Sequence, residues 1–408
     1  MALVVAAAGV VAIGATRDRT ELSTAGVAIT STTTSPGGPS PGASPPATPS
    51  ATTEASTTST TEPPGPSSVT LAFSGDVLPH MPLNDRAAAY GAESDAAFDY
   101  RPMFEPMAPV IEPVDVAICH MEVPLAPRDE AITSYPSFGA PPEIVEGPQA
   151  AGYDGCTTAS NHSLDRGRAG LDHLLDRFDE VGMAHNGTAR TLEEGDGVAT
   201  TYEVDGVRVA NLSYSYDFNG YAIPDEAPWS VNQIDPDAIT LHAARARAEG
   251  ADLVVVSLHW GDEYVHEPSG YQRDVADRIL PSDDIDLIVG HHAHVVQPIE
   301  QVEGTWVVWG LGNQVSNQLE DPRRDGLTAV VTAERNPDDG TEGWEVAEIE
   351  AVPTWVDLAT YRILPVVDTL ADPETPDVLR VELSSSYDRT ASIIADPLPE
   401  ALTLPPKP

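Results

Sequence analysis

The chain has 408 residues and carries 64 acidic side chains against 21 basic ones, a formal net charge of −43. This balance excludes binding to nucleic acids or to anionic membrane surfaces through bulk charge. The acidic side chains are spread along the chain, which is typical of a solvated surface, although a surface that recruits cations has the same composition. Two cysteines, Cys119 and Cys156, are too few for a disulfide scaffold, and the sequence leaves open one disulfide or two buried thiols.

Residues 2–15 form an uncharged apolar run that is followed by Arg17 and Arg19. A run of about 14 residues is short for a membrane span but suits the apolar core of a signal peptide. Residues 1–19 are therefore predicted to be a signal peptide or a membrane anchor, with a buried helix as the alternative. Residues 20–68 are rich in Ser, Thr and Pro and lack Phe, Trp and Tyr, which predicts a disordered linker. We expect an exported protein that is anchored on the outer face of a membrane or secreted.

After the linker, apolar runs of strand length alternate with stretches of helical periodicity. The predicted strands are 69–75, 114–119, 155–159, 207–214, 251–259, 285–291, 305–312 and 327–333. The predicted helices are 169–182, 237–250 and 271–280. Nearly continuous apolar strands that alternate with helices indicate an α/β domain whose sheets are buried by helices. We place this domain at residues 69–365 and treat 366–408 as a C-terminal extension.

Polar side chains follow five of the predicted strands at the point where each strand ends. They are Asp76; His120 and Glu122; Asn161, His162 and Asp165; His259 and Glu263; and His291, His292 and His294. In α/β sheets the loops at the carboxyl ends of the strands form the binding crevice. Carboxylate, amide and imidazole groups are ligands for divalent metals. Three histidines within four residues at one strand end are hard to explain by packing, so the set predicts a metal site.

The order and spacing of these motifs resemble the CapA family of poly-γ-glutamate capsule proteins. The chain reads Gly-Asp at 75–76, Asn-His-Ser-Leu-Asp from 161, His-Trp-Gly-Asp-Glu-Tyr from 259 and Gly-His-His-Ala-His-Val from 290. A later Leu-Gly-Asn, at 311–313, is similar to the closing segment of that family. The family resembles the calcineurin-like metallophosphatases, which implies a four-layer α/β/β/α sandwich with a metal site at one sheet edge.

The resemblance implies a role for each matching residue. The metal ligands that it implies are Asp76, Glu122, Asn161, His259, His292 and His294. His162 matches the histidine that protonates a leaving oxygen, and Asp165 is expected either to orient that imidazole or to cap the following helix. Four further side chains are expected to support the ligands or to contact substrate: His120, His291, Glu263 and Asn313. The implied cofactors are one or two divalent ions, with manganese, iron and zinc as the candidates.

Two positions depart from the pattern of the related proteins. Metallophosphatases usually carry Asp-x-His at the first strand, but here Asp76 is followed by Val77 and Leu78. Many CapA-like sequences have Asn two residues before the glutamate, where this chain has His120. His120 is therefore a candidate replacement for the missing histidine, and the number of bound ions stays open.

The resemblance implies a role in the synthesis or export of poly-γ-glutamate. The expected partners are this polymer or another anionic polymer and membrane-bound synthesis proteins, with no nucleic acid. A metal-dependent hydrolase or transferase site fits the role. The alternatives are a metallophosphoesterase that does not act on the polymer and a non-catalytic binding module that the metal stabilises.

Overall fold

The computed structural model describes residues 67–196, 199–335, 343–394 and 398–408. The predicted export segment and nearly all of the predicted linker lie outside these residues. The strands of the described part are β1 (Ser68–Val77), β2 (Val116–Met121), β3 (Gly155–Thr157), β4 (Ala184–Asn186), β5 (Thr200–Val204), β6 (Val207–Ser215), β7 (Leu253–His259), β8 (Leu287–His291), β9 (Ile299–Val302), β10 (Thr305–Val308), β11 (Asn313–Val315), β12 (Asp325–Arg335), β13 (Trp344–Asp357), β14 (Arg362–Pro365) and β15 (Leu402–Thr403).

The helices connect these strands on the outside of the molecule. They are α1 (Met81–Ser94), α2 (Arg101–Phe104), α3 (Ala108–Ile111), α4 (Glu146–Ala151), α5 (Gly167–Val181), α6 (Leu192–Asp196), α7 (Pro236–Ala248), α8 (Gly270–Ile279), α9 (Asp321–Arg324), α10 (Val366–Ala371) and α11 (Asp377–Ile394). Each of the eight predicted strands and three predicted helices overlaps an observed element. Within the described residues, none of the helices has both the length and the apolar character that crossing a bilayer requires.

Among the described residues, the strands form two sheets. The first sheet has the order β14-β13-β12-β1-β2-β3-β4, with β11 beside β1 and β15 beside β13. Its strands β1 to β4 run parallel, while β12 to β14 form an antiparallel half. The second sheet has the order β5-β6-β7-β8-β10-β9, and β6, β7, β8 and β10 are parallel. Parallel strands deliver their carboxyl ends to one edge of each sheet.

The two sheets pack face to face, and helices cover their outer faces. Side chains of both sheets, such as Phe73 of β1 and Val255 of β7, share one apolar core between the sheets. Alternate side chains point outward, so that Ala72 packs with the helices on the first sheet and Leu212 packs with α7 and α8 on the second. The predicted four-layer α/β/β/α sandwich is confirmed.

The described residues after 365 pack onto the antiparallel half of the first sheet. Val366 and Leu383, from α10 and α11, are buried against Trp355 of β13. Arg389 of α11 donates to both carboxylate oxygens of Asp325 at 2.6 and 2.8 Å. Apolar burial and a bidentate ion pair therefore hold this segment on the sheet.

Candidate metal centre

The first sheet brings three buried side chains into one row at the carboxyl ends of its parallel strands. Asp76 of β1 stands opposite His120 of β2, and His120 stands opposite Thr157 of β3. Residues that are paired across neighbouring strands project from the same face of a sheet. The row therefore presents a carboxylate, an imidazole and a hydroxyl side by side at the sheet edge.

The second sheet contributes a row of imidazoles that meets the first. His259 of β7 stands opposite His291 of β8. The chain then leaves β8 through His292 and His294, whose φ angles of 85° and 54° are in the left-handed region. That conformation is uncommon for residues other than glycine. It turns the segment back toward the first sheet, where the backbone N–H of His292 donates to Asp76 Oδ2 at 3.1 Å.

Asp76 is enclosed by histidines. Its Oδ1 lies 3.2 Å from His291 Nδ1, and its Oδ2 lies 3.2 Å from His294 Nδ1. Burial alone would raise the pKa of Asp76, but the contacts with His291 and His294 hold that pKa well below its ordinary value. Asp76 is therefore an ionised carboxylate at neutral pH, in the form that a metal ligand requires.

Glu122 occupies the centre of the site. Its Oε1 lies 3.6 Å from His294 Nε2 and 4.0 Å from both His259 Nε2 and His162 Nε2. The side chain is fully buried, and within the described residues neither of its oxygens has a hydrogen-bond partner. Burial raises the pKa of Glu122 well above its ordinary value. A buried carboxyl group without partners is costly, and a cation beside it would remove that cost.

A second group of ligand types lies on the other side of Glu122. His259 Nε2 is 2.9 Å from Asn161 Oδ1, and the His259 and His292 ring centroids are 4.8 Å apart. Burial lowers the pKa of His292 to about 3 and holds the pKa of His259 well below its ordinary value. Both rings are therefore neutral, and a neutral imidazole has a lone pair for a metal ion.

His294 belongs to the carboxylate side of the site. Burial alone would lower its pKa, but the carboxylates of Glu122 and Asp76 raise the pKa of His294 to about 9. The protonated His294 ring is a cation that lies between the side chains of Asp76 and Glu122. This position stabilises positive charge. A divalent ion there would compete with that proton.

The donor atoms fit divalent metal ions. Three sets of three ligand atoms lie within 4.8 Å of one another: Asp76, His120 and His291; Asp76, Glu122 and His294; and Glu263, His292 and His294. Mixed imidazole and carboxylate ligands are typical of zinc, iron and manganese sites. Glu122 Oε1 lies within 4.0 Å of both His294 Nε2 and His259 Nε2, so this side chain is within reach of both groups of donors.

His162 faces the ligands from the edge of the site. Its Nδ1 donates to Asp165 Oδ2 at 2.7 Å, and that oxygen also accepts the backbone N–H of Phe138 at 2.7 Å. The following helix, α5, receives no side-chain cap at its N-terminus. Of the two roles expected for Asp165, the structure therefore has the one that orients the His162 ring.

The other four predicted site residues lie around the ligands, three of them buried and one exposed. Asn313 is fully buried and accepts a hydrogen bond from His294 Nδ1 at 3.0 Å, so it orients that ring and has no open path to substrate. His291 touches Asp76 directly. Glu263 is exposed at the mouth of the site. His120 lies behind His259, with its Nε2 2.9 Å from His259 Nδ1.

Sequence reasoning missed Thr157 and Asn219. Asn219 follows β6 with a φ of 51°, accepts from Asn161 Nδ2 at 3.2 Å and lies 3.2 Å from His162 Nδ1. The Asn-Gly pair at 219–220 resembles an ordinary turn, and no local pattern distinguishes it from one. Thr157 lies in an unremarkable run of small residues, where only the strand pairing reveals its contact with His120 at 2.7 Å.

An open cleft adjoins the site and gives it access to solvent. The cleft has a volume of about 540 Å³ and is lined in part by Asn161, His162 and His294. Its rim carries Tyr135 and Tyr221, whose exposed fractions are 77% and 46%. The cleft therefore connects Asn161, His162 and His294 with the solvent.

The strands that flank the site are joined covalently. Cys119 of β2 and Cys156 of β3 form a disulfide, with Cα atoms 4.4 Å apart. These cysteines immediately precede His120 and Thr157 in the sequence. The sequence leaves open whether these cysteines form a disulfide or remain two buried thiols. In the structure they form the disulfide.

Comparisons with known proteins agree with the motifs. The sequence profile of the family described as "Bacterial capsule synthesis protein PGA_cap" matches residues 70–318. The chain is 32% identical over 194 residues to "PGA biosynthesis protein CapA" of Bacillus subtilis, which covers 47% of this chain and 50% of the relative. It is 28% identical over 258 residues to "Capsule biosynthesis protein CapA" of Bacillus anthracis, covering 61% and 60%.

The match therefore spans about half to three fifths of the length of these curated relatives. Among solved structures, the calcineurin-like phosphoesterase YfkN of Bacillus subtilis aligns with a TM-score of 0.43 at 14% identity, over 80% of this chain and 98% of that one. The family match covers more than half of the chain and every candidate ligand, from Asp76 to His294. The chain belongs to the bacterial capsule synthesis protein (PGA_cap) family.

Proposed function

We propose that this protein acts in poly-γ-glutamate synthesis or export through a metal-dependent hydrolase or transferase site. The observation that carries the proposal is the fully buried Glu122, which faces three imidazoles without a hydrogen-bond partner among the described residues. A buried carboxyl without partners requires an explanation, and a bound cation supplies one. Family membership and the similarity to the PGA biosynthesis protein of Bacillus subtilis favour the polymer as the substrate.

The side chains would hold two ions in two groups. Asp76 and His294 would hold one ion and Asn161, His259 and His292 the other, with Glu122 between them. Such ions supply Lewis acidity and a hydroxide nucleophile at neutral pH. Amide and phosphoester bonds both present an oxygen that this chemistry can polarise.

His162 is placed to handle the proton of the reaction. Asp165 accepts from its Nδ1 at 2.7 Å, which leaves Nε2 directed toward Glu122, 4.0 Å away. With the ring oriented in this way, protonated His162 donates the Nε2 proton to the leaving atom as its bond breaks. A purely structural metal site would have no use for this pair.

The negative charge of the protein opposes binding of an anionic polymer. The protein carries −43, so a polyanion is repelled at low ionic strength. Divalent ions held by the site would offset this repulsion locally by binding polymer carboxylates. Polymer binding should therefore depend on the metal more steeply than binding of a neutral substrate does.

The proposal places the domain outside the membrane. The apolar run at 2–15 and the linker after it favour export. The Cys119–Cys156 disulfide also favours an oxidising compartment. Protease accessibility in intact cells tests this part, because a cytoplasmic domain would be protected.

The test of function combines metal content with turnover on the same samples. The full-length wild type is compared with Asn161→Ala and His292→Ala, and with His173→Gln as a control for a histidine outside the site. Metal is measured by elemental analysis after exposure to manganese, iron or zinc. Cleavage is assayed on poly-γ-glutamate by size-exclusion chromatography and on a generic phosphodiester by colour release.

We expect wild type and the control to bind metal and to shorten the polymer, and both site variants to lose metal and activity. Phosphodiester turnover without polymer cleavage would identify a metallophosphoesterase instead. Metal binding without turnover on either substrate would identify a non-catalytic module. A wild type that binds no metal would contradict the site itself.

A further inference from the structure

A chain of hydrogen bonds crosses from the first sheet to the second behind the metal ligands. Thr157 Oγ1 lies 2.7 Å from His120 Nδ1, and His120 Nε2 lies 2.9 Å from His259 Nδ1. Thr157 Oγ1 is also 3.4 Å from the carbonyl oxygen of Cys119, which it can only approach as a donor. The three side chains are buried, with exposed fractions of 1% each.

We propose that Thr157 and His120 form a relay that fixes His259 with its Nε2 lone pair free for a metal ion. This inference rests on the metal site of the proposed function. Metal binding through Nε2 requires the His259 proton to be on Nδ1. That proton is donated to His120 Nε2, the His120 proton on Nδ1 is donated to Thr157, and the Thr157 hydroxyl donates to the Cys119 carbonyl. Every donor in this arrangement has an acceptor.

The contact beyond His259 fits this assignment when a cation is bound, because without an ion the Nε2–H of His259 would donate to the amide oxygen of Asn161. Asn161 donates through Nδ2 to Asn219, so its Oδ1 is the atom that faces His259 Nε2 at 2.9 Å. If the His259 proton is on Nδ1, then His259 Nε2 and Asn161 Oδ1 are both acceptors, and they lie 2.9 Å apart. The lone pairs of these two acceptors repel each other, and a cation bound to both atoms removes the repulsion. The relay and the metal ion therefore stabilise each other.

The relay also assigns His120 a role that differs from direct ligation. His120 offers an atom to the set that contains Asp76 and His291. Both of its nitrogens, however, are already within hydrogen-bond distance of other side chains. Ligation by His120 Nε2 would break the contact with His259. His120 is therefore a positioning residue, held in place by stacking on His291 with ring centroids 4.1 Å apart.

The backbone keeps the relay rigid. His120 and Thr157 are direct partners in the parallel β2–β3 ladder, and the disulfide joins the residues that precede them. A hydroxyl at position 157 is therefore held at one distance from His120. Serine at this position keeps that hydroxyl, while valine keeps the branched shape and removes it.

The test compares Thr157→Val with Thr157→Ser in the full-length protein. Zinc and manganese affinities are measured by titration calorimetry in the absence of polymer, and metal stoichiometry is measured by elemental analysis. Loss of a group that orients a ligand typically weakens metal binding by about 10–100-fold. We expect that loss in Thr157→Val, affinity near wild type in Thr157→Ser, and no difference between the two in metal-free secondary structure.

His120→Gln separates positioning from ligation. We expect this variant to bind the same number of ions as wild type with weaker affinity, and the loss of one equivalent would overturn the positioning role. Equal metal affinity in Thr157→Val, Thr157→Ser and wild type would overturn the relay while leaving the proposed function intact. A wild type without metal would overturn both.

Discussion

Replacement of Glu122 by glutamine should stabilise the metal-free protein and abolish its stabilisation by metal. Glu122 is fully buried and neither of its oxygens has a hydrogen-bond partner among the described residues. Burial is the largest influence on this side chain, and it raises the pKa of Glu122 well above 4.5. Glutamine has nearly the same shape and no charge to desolvate.

Two effects oppose each other in the metal-free state. The substitution removes the desolvation of a buried acid, and it also removes an attraction to His294, whose Nε2 is 3.6 Å away. Desolvation is the larger effect on the pKa of Glu122, so the net change is stabilising. Glutamine also leaves a polar group unpaired, but a neutral group of this kind costs about 1–3 kcal/mol and a charged one costs more, so the substitution gains the difference. Each kcal/mol gained corresponds to a rise in Tm of about 2–4 °C in a domain of about 150–250 residues, and to less in a larger domain such as this one.

The pH dependence has a definite sign. A carboxyl whose pKa is raised in the folded state destabilises that state as pH rises above the ordinary value of 4.5. The stability difference between Glu122→Gln and wild type should therefore be largest near neutral pH and shrink as the pH falls toward 4.5. Added metal reverses the order, because only wild type binds it, and an ion at 100 times its Kd stabilises by about 2.7 kcal/mol.

The assay is thermal unfolding, followed by circular dichroism, with and without zinc or manganese after chelation. A matched control is His173→Gln, which should respond to metal as wild type does. If metal-free Glu122→Gln unfolds at a lower temperature than metal-free wild type, the argument from the uncompensated carboxyl is wrong. If metal stabilises both proteins equally, Glu122 is not a ligand.

The proton donor, the disulfide and the resident metal can each be tested. Asp165→Asn should keep its metal but lose about 10²–10⁴-fold in turnover, because His162 is no longer oriented as an acid; retention of full activity with bound metal would refute the proton-donor role. The double variant Cys119→Ala/Cys156→Ala should lose about 2–4 kcal/mol of stability in urea unfolding relative to the oxidised wild type; unchanged stability would show that the disulfide does not form in solution. Chelation of wild type should lower its Tm by several degrees, and one divalent ion added back should restore it; a Tm insensitive to both treatments would count against a resident metal.

The sequence was sufficient to predict the layer architecture and the edge where the site lies. Apolar runs such as 251–259 and 285–291 end in polar residues, and the carboxyl ends of parallel strands meet at one edge. Asp76, Glu122, His259 and the histidines after β8 converge in the structure for this reason. The apolar runs and the order of the strands along the chain are enough to predict that these residues meet.

Contacts between the sheets could not be predicted in the same way. The His120–His259 bond joins residues 139 positions apart, and it depends on how two sheets are stacked rather than on either segment. The sequence therefore left His120 as a candidate ligand. Asn219 reaches Asn161 through a loop with positive φ, which the Asn-Gly pair allows but does not specify.

Asp165 shows the limit of local rules. An acid just before a helix is typical of a cap, yet here its carboxylate turns toward His162 and the backbone of Phe138. The role of Asp165 depends on the backbone N–H of Phe138, which lies 27 residues away in the sequence. Sequence patterns could state the two roles but not decide between them.

Anomalous X-ray diffraction from crystals grown with zinc or manganese would test the metal site most directly. We predict one peak bounded by Asp76, Glu122 and His294 and, if two ions bind, a second bounded by Asn161, His259 and His292. Peaks confined to surface carboxylates, or no peak above background in fully exchanged crystals, would contradict the site and the function proposed from it.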